Sequence, residues 1–180
     1  MTLNILMIGP SVTANGGIAS VVNEYRKAGL GKKCNISYLP STTDKNTIAK
    51  CLYFFRSYFR ACKMIDSCDL VHIHVSKSGS FFRKSIFFDL AKKKRKPIII
   101  HIHSSQFKSF FQESSRIIQR KIKAVLNTAD CVVVLSEYWK QEFSSFIDPS
   151  KMIVIENGVV MPQKQEKNYK NVNMIFTALS

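Results

Sequence analysis

The chain has 180 residues, 46% hydrophobic and 22% charged, and its 27 Lys and Arg outnumber 12 Asp and Glu to give a net charge of +15. This is globular composition with enough apolar material for one sizeable core, which excludes a disordered chain, and no stretch is long and apolar enough to span a bilayer. The positive charge points either to an anionic partner (a membrane surface, a phosphorylated substrate or a nucleic acid) or to a lysine-rich lineage, and does not choose among them.

The N-terminal MTLNILMIGPS has neither a basic leader region nor a small-residue cleavage site, so no secretory signal is expected. Leu3–Ile8 reads as a buried strand ending at Gly9-Pro10. A helical pattern follows, with Ile18, Val21, Val22, Tyr25 and Ala28 on one face, stopped by Gly29 and Gly31. Ile36–Leu39 is a short second strand. Ile48, Leu52, Phe55, Phe59 and Cys62 mark the inner face of a second helix. Leu70–Val75 is a third strand, and Phe82, Ile86 and Leu90 mark a helix running into the basic stretch Lys92–Lys96. Pro97 opens the strand Ile98–Ile100. One long helix is expected from Phe107 to about Asn127, with Phe107, Phe111, Ile118, Ile122 and Val125 inward. Cys131–Leu135, Tyr138–Phe146 and Met152–Ile155 read as strand, helix and strand.

Strands that are continuous apolar runs, alternating with helices, imply an α/β fold: a doubly wound, Rossmann-like parallel sheet with helices on both faces. The expected organisation is one domain over 1–160, a polar linker over 161–172 and, at 173–180, the first strand of a further domain. The five cysteines are odd in number and fit no zinc or disulfide spacing, which suits a reducing cytoplasm.

Five motifs carry candidate chemistry. Gly16-Gly17 precedes the first helix, where glycines let a ligand approach backbone N–H groups; a purely structural turn explains them equally well. In Asp69-Leu70-Val71-His72-Ile73-His74, alternation puts both histidines on one side of the strand, with His74 at the C-terminal end where open α/β sheets bind ligands. His72 lies deeper and reads as a satisfied core histidine. Ile100-His101-Ile102-His103-Ser104 repeats the pattern, with His103 at the strand end. Two His-x-His strands invite a metal, but no carboxylate or cysteine stands at ligand spacing, so no metal is expected and hydrogen bonding to substrate is preferred. Ser136-Glu137 suits a helix N-cap, and Glu156-Asn157-Gly158 a closing turn or interdomain hinge.

In this order the Gly16-Gly17-Ile18 loop, Asp69–His74, Ile98–His103, Ala129–Glu137 and Ile155–Val159 resemble family-four glycosyltransferases of the GT-B fold, especially bacterial enzymes of surface-polysaccharide assembly. Met174–Ser180 is similar to the strand that opens that family's donor-binding domain. The resemblance implies the N-terminal, acceptor-binding half of an enzyme that transfers sugar from a nucleotide-sugar substrate with retention, without metal or other cofactor. It implies that His103 contacts the donor sugar as the catalytic candidate, that Gly16 and Gly17 approach donor phosphate and acceptor, and that His74 lines the acceptor side. Ser104 follows His103 where a glycine is common, and Ser104, Glu137, Asn157 and Gly158 complete the substrate-binding candidates. The family's basic pair on the phosphates and its Glu-x7-Glu motif have no counterpart in these residues, so the isolated chain is expected to be inactive.

The family's acceptors are often lipid-linked sugars at the inner face of the plasma membrane. The Lys92–Lys96 run and two segments mixing aromatics with bases, Leu52–Lys63 and Phe107–Lys123, fit a peripheral protein on an anionic membrane. A basic module binding a membrane or polyanion without catalysis is the alternative. Nucleic-acid binding through Tyr53, Phe54, Arg56, Tyr58, Arg60 and Lys63 is disfavoured, because positive charge there comes without a recognised motif.

Overall fold

A computed structural model describes residues 2–11, 18, 21, 22, 34–42 and 47–157. Among them are six strands: β1 (Asn4–Gly9), β2 (Asn35–Pro40), β3 (Leu70–Val75), β4 (Ile98–Ile102), β5 (Cys131–Val134) and β6 (Met152–Val154). Five helices alternate with them: α1 (Thr47–Ser67), α2 (Gly79–Lys93), α3 (Phe107–Glu113), α4 (Arg116–Thr128) and α5 (Glu137–Phe143). Ile18, Val21 and Val22 are helical as well. The remaining sequence expectations, including Gly16, Gly17, Gly158, the linker and the strand over 173–180, lie outside the described residues.

All pairs are parallel, in the order β2-β1-β3-β4-β5-β6. The chain first steps from β1 to β2, then returns past β1 to β3 and continues outward. The direction reverses between β1 and β3, and such a reversal leaves a crevice at the carboxyl ends of the two strands. The doubly wound α/β fold is therefore the observed one.

Alternation along each strand makes the two faces chemically different. Leu6, Ile8, Val71, Ile73, Val75, Ile98, Ile100, Ile102, Val132 and Val134 form one buried cluster with Ala61 and Ile65 of α1, Phe81, Phe87 and Phe88 of α2, Phe107 of α3, Ile122 and Leu126 of α4 and Phe143 of α5. The intervening residues turn the other way: Met7 is in register with His72, His74 with His101, and His101 with Val133.

Three helical expectations need correction. On α1, Leu52, Phe55 and Phe59 are 67%, 58% and 67% exposed, whereas Ala61 and Ile65 are fully buried and Phe54 and Tyr58 pack on the core. Apolar residues line both sides of this helix, so periodicity alone selected the wrong stripe. On α2, the buried stripe is Phe81, Lys84, Ser85, Phe87, Phe88 and Ala91, and Ile86 is exposed. The single long helix is two, because Ser114 and Ser115 take extended backbone (ψ 150 and 156). Each serine favours such breaks, since its hydroxyl competes for backbone partners; Ser114 Oγ donates to the Phe110 carbonyl at 2.6 Å.

The Lys92–Lys96 run also has local duties. Lys94 Nζ donates to the Cys62 carbonyl at 2.9 Å and pairs with Asp66, while Lys96 Nζ donates to the carbonyls of Asp66 (3.1 Å) and Cys68 (2.6 Å). Cations there complete the orphan carbonyls at the C-terminus of α1 and suit its dipole. Because the run precedes β4, it lies at the amino end of the sheet, opposite the crevice.

Candidate functional site

β3 and β4 are adjacent and parallel, and each carries two histidines at alternate positions, so all four histidines of the chain meet on one face. Their rings stack: His72 on His74 with centroids 4.4 Å apart, His74 on His103 at 5.0 Å and His101 on His103 at 4.0 Å. His74 and His101 are fully buried. His74 Nδ1 and His103 Nε2 are 2.7 Å apart and share one hydrogen bond. That bond links the two ligand-facing candidates. With His103 Nε2 committed to His74, His103 Nδ1 is the atom left to meet a ligand, and it donates or accepts according to which ring holds the shared proton.

Burial keeps these rings neutral. It lowers His72 to about 4, and lowers His101 to about 2 with help from the His103 and His72 charges. His103 is brought to about 3 by burial and then by His72 and Lys84, and His74 is held well below its ordinary value by burial, its three histidine neighbours and Lys84. A neutral imidazole at pH 7 offers a hydrogen bond without adding charge to the crevice.

The expectation that His72 is satisfied fails. Among the described residues, His72 Nε2 and both ring nitrogens of His101 are buried without a hydrogen-bond partner. Such groups are rare and costly inside proteins. A metal is the obvious candidate to answer them, since nitrogens of His72, His74 and His101 lie within 4.8 Å of one another. Ligand nitrogens around tetrahedral zinc are closer, about 3.4 Å apart, and converge on the ion. Here the His72 and His101 rings are nearly parallel, 8° between planes with centroids 5.6 Å apart. The geometry suits a stack of neutral rings better than a coordination sphere.

Next to the histidines, the loops after β3 and β4 face each other. The His103 N–H donates to the Val75 carbonyl at 2.9 Å, and Lys77 Nζ donates to Gln106 Oε1. Ser104 accepts the Phe107 N–H at 3.1 Å, starting α3, so its backbone shapes the loop beside His103. Between this pair of loops and α3 lies a cavity of about 450 Å³ lined by Lys77, Ser78, Gln106, Ser109, Phe110, Glu113 and Ser114. Its volume falls in the range of small-ligand sites.

The structure does not gather every expected residue here. His74, His103 and Ser104 come together on neighbouring strand ends. Glu137 follows β5 and is exposed, lining a separate hollow with Tyr138, Lys140, Gln141, Ser144 and Pro149. Asn157 is exposed beyond the edge strand β6. Ser136 does cap α5, its Oγ accepting the Trp139 N–H at 3.3 Å.

Sequence reasoning missed Lys77, Ser78, Gln106 and above all Lys84. The signal was Ser76-Lys77-Ser78-Gly79-Ser80 directly after a strand end, a polar, glycine-containing turn opening a helix.

This crevice at the carboxyl ends of β1, β3 and β4 can be set beside known families. The profile described as Glycosyltransferase Family 4 matches residues 36–161, well over half the chain and every strand from β2 to β6. The chain belongs to Glycosyltransferase Family 4. No curated protein matches it significantly. The match takes in His74, His103, the loop after β3 and the cavity; β1, Gly16 and Gly17 precede it.

Proposed function

We propose that this chain is the acceptor-binding half of a retaining, nucleotide-sugar-dependent glycosyltransferase, acting in bacterial surface polysaccharide or glycolipid assembly. The observation that carries the reading is the polar 450 Å³ cavity lined from the loops that follow β3 and β4, the strands that carry the His74–His103 pair, in a family-four domain. The acceptor sugar occupies that cavity, and the nucleotide of the donor is held mainly by a second domain. Placing an acceptor hydroxyl near the anomeric carbon supplies proximity, and closing two domains around the donor excludes the water that would hydrolyse it. His103 Nδ1 hydrogen-bonds a donor-sugar hydroxyl, His74 orients His103, and no metal or other cofactor takes part.

Saturation-transfer NMR on the 180-residue chain tests this. Sugar protons of acceptor oligosaccharides should receive saturation, and Gln106→Ala, in the cavity wall, should remove most of it, whereas His103→Ala should not; UDP-sugars should bind weakly and undergo no transfer. Failure of every acceptor sugar to bind, or robust transfer by this chain alone, would overturn the reading.

A second element concerns the membrane, and one surface favours it. Leu52, Phe55 and Phe59 form an exposed apolar stripe on α1, bordered by the exposed bases Lys50, Arg56, Arg60 and Lys63. We infer that this stripe enters the headgroup boundary of an anionic bilayer, making the protein peripheral at the inner face of the plasma membrane. The other basic-aromatic segment contributes less: Lys108 pairs with Glu142 at 2.5 Å, and Phe107 is buried. Co-sedimentation with liposomes containing phosphatidylglycerol should fall as salt rises and should fall roughly tenfold in Phe55→Ser/Phe59→Ser, a loss of about 1.4 kcal/mol. Equal binding to neutral vesicles would remove the membrane. Liposome binding with no sugar binding would favour the non-catalytic basic module.

A further inference from the structure

Lys84 is 4% exposed, on the side of α2 that faces the core. Its Nζ makes one hydrogen bond, to Ser80 Oγ at 2.9 Å, and among the described residues no carboxylate pairs with it. Burial followed by the charge of Arg83 drives its pKa down to about 7, and no acid offsets them. A buried ammonium with one neutral partner costs more than that bond returns.

Its location makes the cost meaningful. Ser80 Oγ also accepts the Ser76 N–H at 3.3 Å, so Lys84 is tied to the turn between β3 and α2. Its charge reaches both His74 and His103. The turn opens a helix of 15 residues whose first N–H groups have no side-chain cap, with Ser78 in left-handed backbone (φ 51). The helix dipole adds positive potential at that end. Lys77 supplies a second cation at the cavity wall, and Glu113 of α3 is the one carboxylate lining the cavity. A buried lysine, a second lysine and a helix N-terminus without a side-chain cap, where the Ser80 and Phe82 N–H groups donate to the Lys77 and Ser78 carbonyls, converge at the carboxyl end of β3 beside the crevice.

We propose that the turn Ser76–Ser80 with Lys84 is a phosphate-binding site, and that it holds the phosphate or diphosphate of a lipid-linked sugar acceptor. The assignment to the acceptor rests on the proposed function; the phosphate site itself does not. An arriving phosphate gives Lys84 the counter-charge it lacks and accepts from the helix N-terminus, while the acceptor sugar extends into the adjoining cavity. Ser80, which already accepts from Lys84 and from Ser76, keeps its own hydroxyl proton to donate to a phosphate oxygen.

Thermal melting of the 180-residue chain at low ionic strength tests the site with inorganic pyrophosphate, farnesyl diphosphate and UDP as probes. Pyrophosphate should raise the melting temperature of the wild type. Lys84→Met should melt above the wild type without ligand, because it removes an uncompensated charge, and should weaken pyrophosphate binding roughly tenfold or more. Lys92→Met/Lys93→Met should keep the wild-type response, separating the site from general surface charge. Farnesyl diphosphate should stabilise more than UDP. Several outcomes would overturn the proposal: no response in the wild type, an equal response in Lys84→Met, or a Lys84→Met chain that fails to fold. A stronger response to UDP would move the site to the donor and overturn the acceptor assignment. Loss of the pyrophosphate response with sugar binding intact would sink this inference alone and leave the proposed function standing.

Discussion

The two faces of the β3–β4 pair are built from the same strands and differ only by the parity of the residue number. On one face, Val71, Ile73, Val75, Ile98, Ile100 and Ile102 are buried under helices in a wholly apolar cluster. On the other, His72, His74, His101 and His103 stack, and three ring nitrogens of His72 and His101 have no hydrogen-bond partner among the described residues. The first face spends its burial on stability. The second forgoes stability to keep polar, neutral groups next to the crevice. Lys84 follows the same logic from the helix side, as a charge placed inside the apolar cluster's border at the ligand end.

The contrast can be broken first on the apolar face. Ile100→Ala leaves a cavity beside its register partners Ile73 of β3 and Val132 of β5 and should cost about 2–5 kcal/mol in denaturant unfolding. A loss below about 1 kcal/mol would mean that this face is less tightly packed than its burial indicates.

Acid should separate the faces next. Each histidine has a folded pKa below its unfolded value near 6.5, down to about 4 for His72 and about 3 for His103. Between those values the unfolded chain binds protons that the folded chain refuses, so stability falls as pH drops from 6.5 toward 4. His72→Leu should flatten part of that slope in melts taken across the range; an unchanged slope would show that His72 is not the buried neutral base described. Lys84 follows the same sign at higher pH: its folded pKa of about 7 lies below 10.5, so stability should rise from pH 7 to 10, and not in Lys84→Met.

If the proposed function holds, His103→Ala placed in a two-domain transferase should lower kcat roughly tenfold, about 1.4 kcal/mol of transition-state contact. Unchanged turnover would return His103 to a structural role. The smallest effect concerns His101, whose nitrogens are both buried and unpaired. His101→Leu should raise stability by about 1 kcal/mol, since an unsatisfied polar group is exchanged for an apolar one of similar size. A marked destabilisation would mean that a partner, such as an ordered water, holds the ring in solution.

Much of this protein was legible from its residues. The alternation of β-branched runs with amphipathic stretches determined the parallel α/β sheet, because a strand covered on both sides must be apolar on both. The period of two placed each pair of histidines on one side of its strand, and the family motifs at Asp69–His74 and Ile98–His103 marked the strand ends as the site. What stayed illegible depended on neighbours in space. α1 has apolar residues around most of its circumference, so only docking decided that Ala61 and Ile65 face inward and Phe55 and Phe59 outward. Lys92–Lys96 looks like one basic patch, yet Lys94 and Lys96 bind the carbonyl end of a helix about 30 residues earlier in the chain. Strand order brought His72 and His74 against His101 and His103 and left Glu137 and Asn157 apart, because β3 and β4 are adjacent while β5 and β6 lie farther out. Lys84 was the hardest to see: a lysine in a helix is ordinarily solvated, and only the packing of α2 against β3 and β4 buried its charge without an acid to meet it.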